Sequence, residues 1–372
     1  MLAKVAHLMQ WMEERAPQRL AETWDNPGLM WGHPQSEVRH VLLAVDGTDA
    51  VLEEAVRKDA GLVVLHHPSI WEDVKHLRTD QALGRRVELC LRHGIAVFAA
   101  HTNYDAAADG VSDALARRLG LAEVTVLDVT ARDPLQKLVV FVPFGHEDRV
   151  RDAMAQAGAG WIGKYSHCSF QVRGLGTFLP HEGADPFIGS VGRLERVDEV
   201  RLETVVTASI SRRVVAAMLR AHPYEEVAYD LIPLDNDGPA LGVGRLGGLA
   251  DALPLADLAR RVKEVCRVPA VRLVGDPQRP VRRIAVCGGS GGDLLQAASR
   301  AGADVLITGD LDHHEALEAL DLGLAVVDAG HFGTEWPGMA DLAHWLNSRL
   351  EAEGFETRCE LAESDRDPFQ FL

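Results

Sequence analysis

The sequence predicts an α/β fold of two related halves with parallel-rich sheets, interrupted by a smaller α+β module. Three observations predict it. Strand-like runs and amphipathic helices alternate through the first third of the 372 residues, the same alternation returns in the last third, and the stretch between them is patterned differently. Continuous Val/Ile/Leu runs, each followed by a helix, are what parallel sheets covered on both faces require. A chain of this length with 47% hydrophobic residues can bury a full core without outside staples.

The elements follow in order. Residues 1–17 read as an amphipathic helix, because Leu2, Val5, Leu8, Met9 and Met12 recur at helical spacing while Lys4, Glu13, Glu14 and Arg15 break the apolar run. Residues 38–48 read as a strand, 48–60 as a helix and 61–68 as a buried strand; a helix then runs through 87–94, and 95–105 form another strand. In the last third, 282–292 read as strand then turn, 293–302 as a helix, 303–310 as a strand and 313–323 as a helix. Residues 324–335 follow as a strand leading to a loop, and 337–354 as a closing helix.

The middle stretch, Arg132 to Asp237, reads as strand 137–143, helix 146–158, a strand pair or bent strand over 166–180, strand 203–210, helix 211–223 and strand 227–234. Two strand–helix–strand passes of this size suggest a ferredoxin-like α+β module inserted into the outer domain. Its borders, TARDP and LDNDGP, have loop composition. The expected plan is therefore residues 1–131 and 238–372 as the two core halves, with 132–237 inserted.

The formal net charge of −17 leaves no basic stripe that would release counterions on binding nucleic acid, so DNA or RNA is disfavoured as a partner. No run approaches the ~18 apolar residues of a membrane span. The five cysteines are odd in number and contain no C-x-x-C pair, which argues against a disulfide framework or a thiolate zinc site. A soluble protein of the reducing cytoplasm, without a targeting segment, is the expectation.

Chemistry-bearing residues collect at the C-terminal ends of the strands: His66 and His67, His101 to Asp105, Asp310 to His314, and Asp328 to Glu335. Open α/β sheets bind ligands at that edge, so all four clusters can face one cleft. Imidazole and carboxylate together suit zinc, manganese, iron, cobalt or nickel, and the lack of cysteine favours a site that retains water. His66 and His67 are neighbours on an extended segment, so their side chains should point to opposite sides and serve two ions. Asp105 adds the negative charge that imidazoles lack. With Thr334 as an N-cap and Pro337 in the first turn, His331 and Glu335 become loop and helix-start residues, from which Glu335 can bridge two ions at ~3.5–4 Å. Two further motifs stay open. CGGSGGD (287–293) is either a tight turn or an anion nest, and His222, Glu225 and Glu226 are either a helix end leading into a strand or a second metal site.

HHP (66–68), HTNYD (101–105), TGD (308–310) and GHFGTE (330–335), with ETWDNPGLMWG (22–32) and SDRDPFQFL (364–372) at the ends, together resemble the Nif3 family over the whole chain. The middle segment, with YSHCSF, GLGTFLP and HPYEEVAYDLIPL, resembles the PII/CutA-like insert of its longer bacterial members, which are named as GTP cyclohydrolase 1 type 2 homologues. The resemblance implies a Nif3-like core and two divalent cations per subunit held by His66, His67, Asp105, His331 and Glu335, with Glu335 as the bridge. It also implies a ring-shaped homohexamer, a trimer of dimers, with the metal sites facing its inner cavity. In DLDHH, His314 holds the family's histidine place and His313 looks like an addition. His101 and His314 would then either orient the ligands or transfer protons. The expected activity is metal-assisted hydrolysis of a nucleotide-like or phosphoester substrate. The alternative is a non-enzymatic metal-binding scaffold, carrier or regulator whose insert senses a small ligand.

Overall fold

The Val- and Leu-rich runs of the first third become the centre of a five-stranded sheet, ordered Arg358–Leu361, His40–Ala44, Ala60–Leu65, Ala96–Ala99 and Gly28–Trp31. The first four strands are parallel and the Gly28–Trp31 edge is antiparallel. Successive residues leave a strand on opposite faces, and both faces here are dry. Leu43, Val64 and Phe98 join one buried cluster, which includes Leu8 of the first helix and Leu342 of the last, while Leu42, Val63 and Val97 join another. That is why no polar residue interrupts Leu62–Leu65. This computed structural model describes residues 1–371.

A six-stranded sheet repeats the arrangement with the last third. Its order is Arg272–Val274, Ala325–Asp328, Val305–Gly309, Pro280–Ser290, Ala240–Pro254 and Ala122–Arg132. The three central strands are parallel, and again alternate residues feed two clusters: Ile284, Ile307 and Val327 in one, Ala285, Leu306 and Val326 in the other. The long strands at 122–132 and 240–254 escape the sequence reading because their glycines and charges blur the period-2 pattern. Both sheets and their helices make one unit, residues 1–131 with 241–372.

The helix His331–Ala352 packs against both sheets and buries Met339, Leu342 and Leu346 completely. It starts earlier than expected. Gly330, at φ +74°, makes the entry turn that a capping threonine was expected to make, so His331 and Glu335 lie i, i+4 on the helix itself. Thr334 is inside, its hydroxyl turned back to the Gly330 carbonyl at 3.0 Å, and Pro337 is held within the helix by burial of its surroundings. Among the described residues, no helix is long and apolar enough to cross a membrane.

Residues 132–240 form a second unit. Four antiparallel strands, ordered Tyr229–Pro233, Leu135–Pro143, Glu195–Thr207 and Ser169–Phe178, alternate in the chain as strand, helix, strand, strand, helix, strand. Helices Glu147–Gln156 and Ser211–Ala221 bury Met154 and Met218 against Val140 and Leu202. The segment 166–180 holds a single strand, and the strand expected at 203–210 begins at Glu195. The charged stretch before it conceals the alternation that turns Val197, Val200 and Leu202 inward.

Candidate metal centre

His66 and His67 directly follow the strand Ala60–Leu65, their N–H groups still hydrogen-bonded to Ala44 and Val45. His101 follows Ala96–Ala99 and precedes the short helix Thr102–Ala106, which carries Asp105. His331 and Glu335 come from the first turns of the closing helix. These six residues, from opposite ends of the sequence, converge, with His66, His67 and His331 directly on the Glu335 carboxylate. Its Oε1 is 3.4 Å from His66 Nε2 and 2.9 Å from His331 Nε2, and its Oε2 is 3.2 Å from His67 Nε2. Asp105 Oδ1 stands 3.7 Å from His66 Nε2. Two sets of donor atoms, His66/His67/His101 and His67/His331/Glu335, each fall within 4.8 Å of one another. His67 belongs to both, so the opposite-sided placement expected of neighbours is only partly kept: the two rings share Glu335, one on each oxygen.

Each imidazole is held from behind. His67 Nδ1 lies 2.8 Å from Asp46, His101 Nδ1 2.9 Å from Asp25, His331 Nδ1 2.8 Å from Asp310, and His66 Nδ1 2.8 Å from the Ala100 carbonyl. With an acceptor at every Nδ1, the hydrogen-bond network assigns the proton there and turns the Nε2 lone pairs toward the centre, the arrangement that orients metal-ligating histidines.

Fully buried polar atoms without a partner are rare and costly. Three of them cluster here: His66 Nε2, Asp105 Oδ1 and Glu335 Oε2. All three are lone-pair donors that a cation would satisfy together, so the residues fit a bound metal. The protonation pattern points the same way. Burial pulls His67 and His331 down, but their carboxylate partners outweigh it and raise them to about 10 and about 9. Burial would raise Glu335, yet the surrounding imidazoles hold it well below its ordinary value. Burial, with Glu335 adding to it, pushes Asp105 up. Protons thus occupy the place where a cation fits, and a metal must displace them.

CGGSGG serves this centre by close packing. The strand runs through Ser290, and Gly289 sits at φ +68° with its N–H donated to Thr334 Oγ1 at 2.9 Å. A Cβ on Gly289 would lie 2.5 Å from Glu335 Oε1. The Gly289 N–H is therefore engaged and not offered to an anion. His313 and His314 are exposed on the first turn of helix His313–Asp321 and belong to neither donor set. His222 is buried with both ring nitrogens hydrogen-bonded, to the Phe141 carbonyl and the Tyr224 N–H, as a helix end leading into a strand would have it. The sequence reading missed Asp25 and Asp46 as partners of His101 and His67. For Asp46 a signal existed, since it ends the first strand at the same sheet edge.

A cleft of about 1140 Å³ opens over the centre, lined by His67, His101, His331 and, farther out, Trp24, Trp71 and Phe369.

Fold and site together define a two-half α/β protein with a histidine–carboxylate centre where the strand ends converge. The chain belongs to the Duf34/NIF3 (NGG1p interacting factor 3) family, whose model matches residues 3–368. Relatives named GTP cyclohydrolase 1 type 2 homolog include one from Bacillus subtilis, 44% identical over 98% of both chains, and one from Mycobacterium tuberculosis, 41% identical over 95% of this chain and 93% of its own. The crystal structure of a Bacillus cereus protein related to NIF3 covers both chains fully at 42% identity and a TM-score of 0.85. That of a Staphylococcus aureus protein matches at 29% identity and 0.71, covering 100% of this chain and 99% of its own.

Proposed function

We propose that the protein is a dinuclear metal-dependent hydrolase acting on a nucleotide-like or phosphoester substrate. The observation that carries this reading is the set of three unpartnered, buried donor atoms gathered around one carboxylate. Glu335 would bridge the two ions, with His66, His67, Asp105 and His331 completing the set. His101 joins them, since Asp25 holds its ring as Asp46 holds His67. His314, exposed on the first turn of its helix, lies outside both donor sets and is not counted among the ligands. Zinc, manganese, iron, cobalt or nickel suits these donors. A pair of such cations would lower the pKa of water and polarise the substrate's phosphoryl or carbonyl group. The chain's own residues orient the donors, through the acceptors at each Nδ1, and the cleft gives a substrate access to them.

The names of the relatives favour a nucleotide substrate, and a homohexamer, a trimer of dimers, is the assembly that the Nif3 resemblance implies. The strand and helix order of residues 132–240 favours a ferredoxin-like, PII/CutA-like insert. Five free cysteines fit a cytoplasmic setting. The test is turnover of a panel of nucleotides and phosphoesters by metal-reconstituted protein. Activity lost in Glu335→Ala supports the hydrolase; tight metal binding with no turnover on any member leaves the scaffold or carrier in its place.

A further inference from the structure

We propose that the cleft takes a planar heteroaromatic ring bearing a phosphate, a purine nucleoside monophosphate being the simplest example, with the ring stacked on the outer face of the Trp24–Trp71 pair and flanked by Phe369 and Phe371. The inference deepens the hydrolase reading by naming what its site would hold, and it rests on that reading only for what happens at the floor.

Isolated exposed aromatics need no explanation, but several converging on one concavity do. Trp24 and Trp71 are 59% and 48% exposed, and Phe369 and Phe371 are 74% and 56% exposed, yet all four line the same cleft. The two indoles lie nearly parallel, 20° apart with centroids at 6.3 Å, too close to admit a ring between them, so the free surface for stacking is the outer face of the pair. Trp71 stands edge-on to His101, 5.1 Å away at 89°, which joins this platform to the metal centre. A ligand stacked at the rim therefore has its other end over the donors.

The tail that carries the phenylalanines is anchored just before them. Buried Glu54 accepts hydrogen bonds from the Glu363 and Ser364 N–H groups and the Ser364 hydroxyl, and Asp365 accepts from the Val45 N–H at 2.7 Å. Beyond this anchor, Asp367 accepts from the Phe369 N–H at 2.9 Å.

Charge decides the ligand's class. Of the lining carboxylates, Asp46 and Asp310 hold imidazoles, Asp328 pairs with Arg272 and Asp367 accepts from the Phe369 N–H; Arg86 pairs with Asp49, and Arg366 is left with no carboxylate within salt-bridge distance among the described residues. A purely apolar ligand would leave that guanidinium and the polar floor desolvated without compensation. A ring with a phosphate satisfies both surfaces, the π-face on indole and the anion on arginine.

The test is calorimetric titration of the full-length protein, as purified with its metal, with GMP, guanosine and ribose 5-phosphate. GMP should bind saturably, and ribose 5-phosphate, which lacks the ring, at least about tenfold more weakly. Trp71→Ala and Trp24→Ala should each weaken GMP about tenfold, Trp71→Phe should restore most of the loss, and Arg366→Ala should weaken GMP but not guanosine. Both tryptophans are half exposed, and circular dichroism checks that the variants fold. Equal binding of GMP and ribose 5-phosphate, or Trp71→Ala binding GMP like wild type, overturns the proposal. So does dissociation of the assembly by the tryptophan variants in sedimentation, since a second copy of the chain would then cover the aromatics. GMP binding without turnover would sink the hydrolase and spare the cleft; turnover of ringless phosphoesters alone would do the reverse.

Discussion

The two halves of the larger unit build the metal centre by different means. The N-terminal half delivers His66, His67, His101 and Asp105 from two adjacent parallel strand ends, each imidazole tied at Nδ1 to a carboxylate or carbonyl of its own half. The C-terminal half delivers His331 and Glu335 from one helix, and Glu335 reaches its place because a neighbouring strand carries no Cβ at Gly289. Docking of one half on the other is fixed close by: the Tyr104 hydroxyl donates to the Gly338 carbonyl at 3.1 Å, and buried Arg245 pairs with Asp113. The N-terminal half is thus a prepared set of imidazoles, and the C-terminal half supplies the carboxylate that makes a centre of them.

Substitutions of the groups behind the histidines probe that contrast most strongly. Asp25→Asn and Asp46→Asn should each lower metal affinity about 10- to 100-fold in chelator competition, because they loosen the tautomer and orientation of His101 and His67. Asp310→Asn, in the other half, should cost less, since His331 is also fixed by its helix. Equal losses in all three would erase the distinction between the halves.

Gly289→Ala tests the C-terminal device. The added methyl meets Glu335 Oε1 and the residue keeps a positive φ, so a strain of about 1–3 kcal/mol is expected in thermal unfolding, together with weaker metal binding. Zinc binding at pH 7 should release protons, because His67 and His331 are raised to about 10 and about 9 and hold protons that the ion displaces. Affinity should therefore climb with pH through that range, and calorimetry in buffers of different ionisation enthalpy measures the release.

The smallest effect belongs to the tail anchor. Burial would raise Glu54, but hydrogen bonds from Ser364, Glu363 and Lys58 outweigh it and lower it to about 2. A depressed carboxylate contributes stability that is full above its unfolded pKa of about 4.3 and lost as pH falls through its folded value. Glu54→Gln should flatten the fall in melting temperature between pH 5 and 2, leaving neutral-pH metal binding unchanged.

Much of this was legible in the sequence. The apolar runs fixed the parallel strands because both faces are buried, and the polar residues after them marked the binding edge. Less legible was whatever depends on distant backbone. Thr334 carries the composition of a cap, yet Gly330 starts the helix, a choice made by the close passage of Gly289 and Gly309 beneath it. His101 sits among the donors because Asp25, 76 residues earlier, holds its ring, and no local pattern announces that pair. The CGGSGG motif invited a phosphate reading because glycine is used equally for anion nests and for tight packing.

The most direct measurement is elemental analysis of the purified wild-type protein beside Glu335→Ala. Two divalent ions per chain, falling below one in the variant while His314→Ala keeps both, is the expected result. Retention of two ions without Glu335, or a wild-type protein that takes up none from excess zinc, manganese, iron, cobalt or nickel, would contradict a centre shared by the two halves.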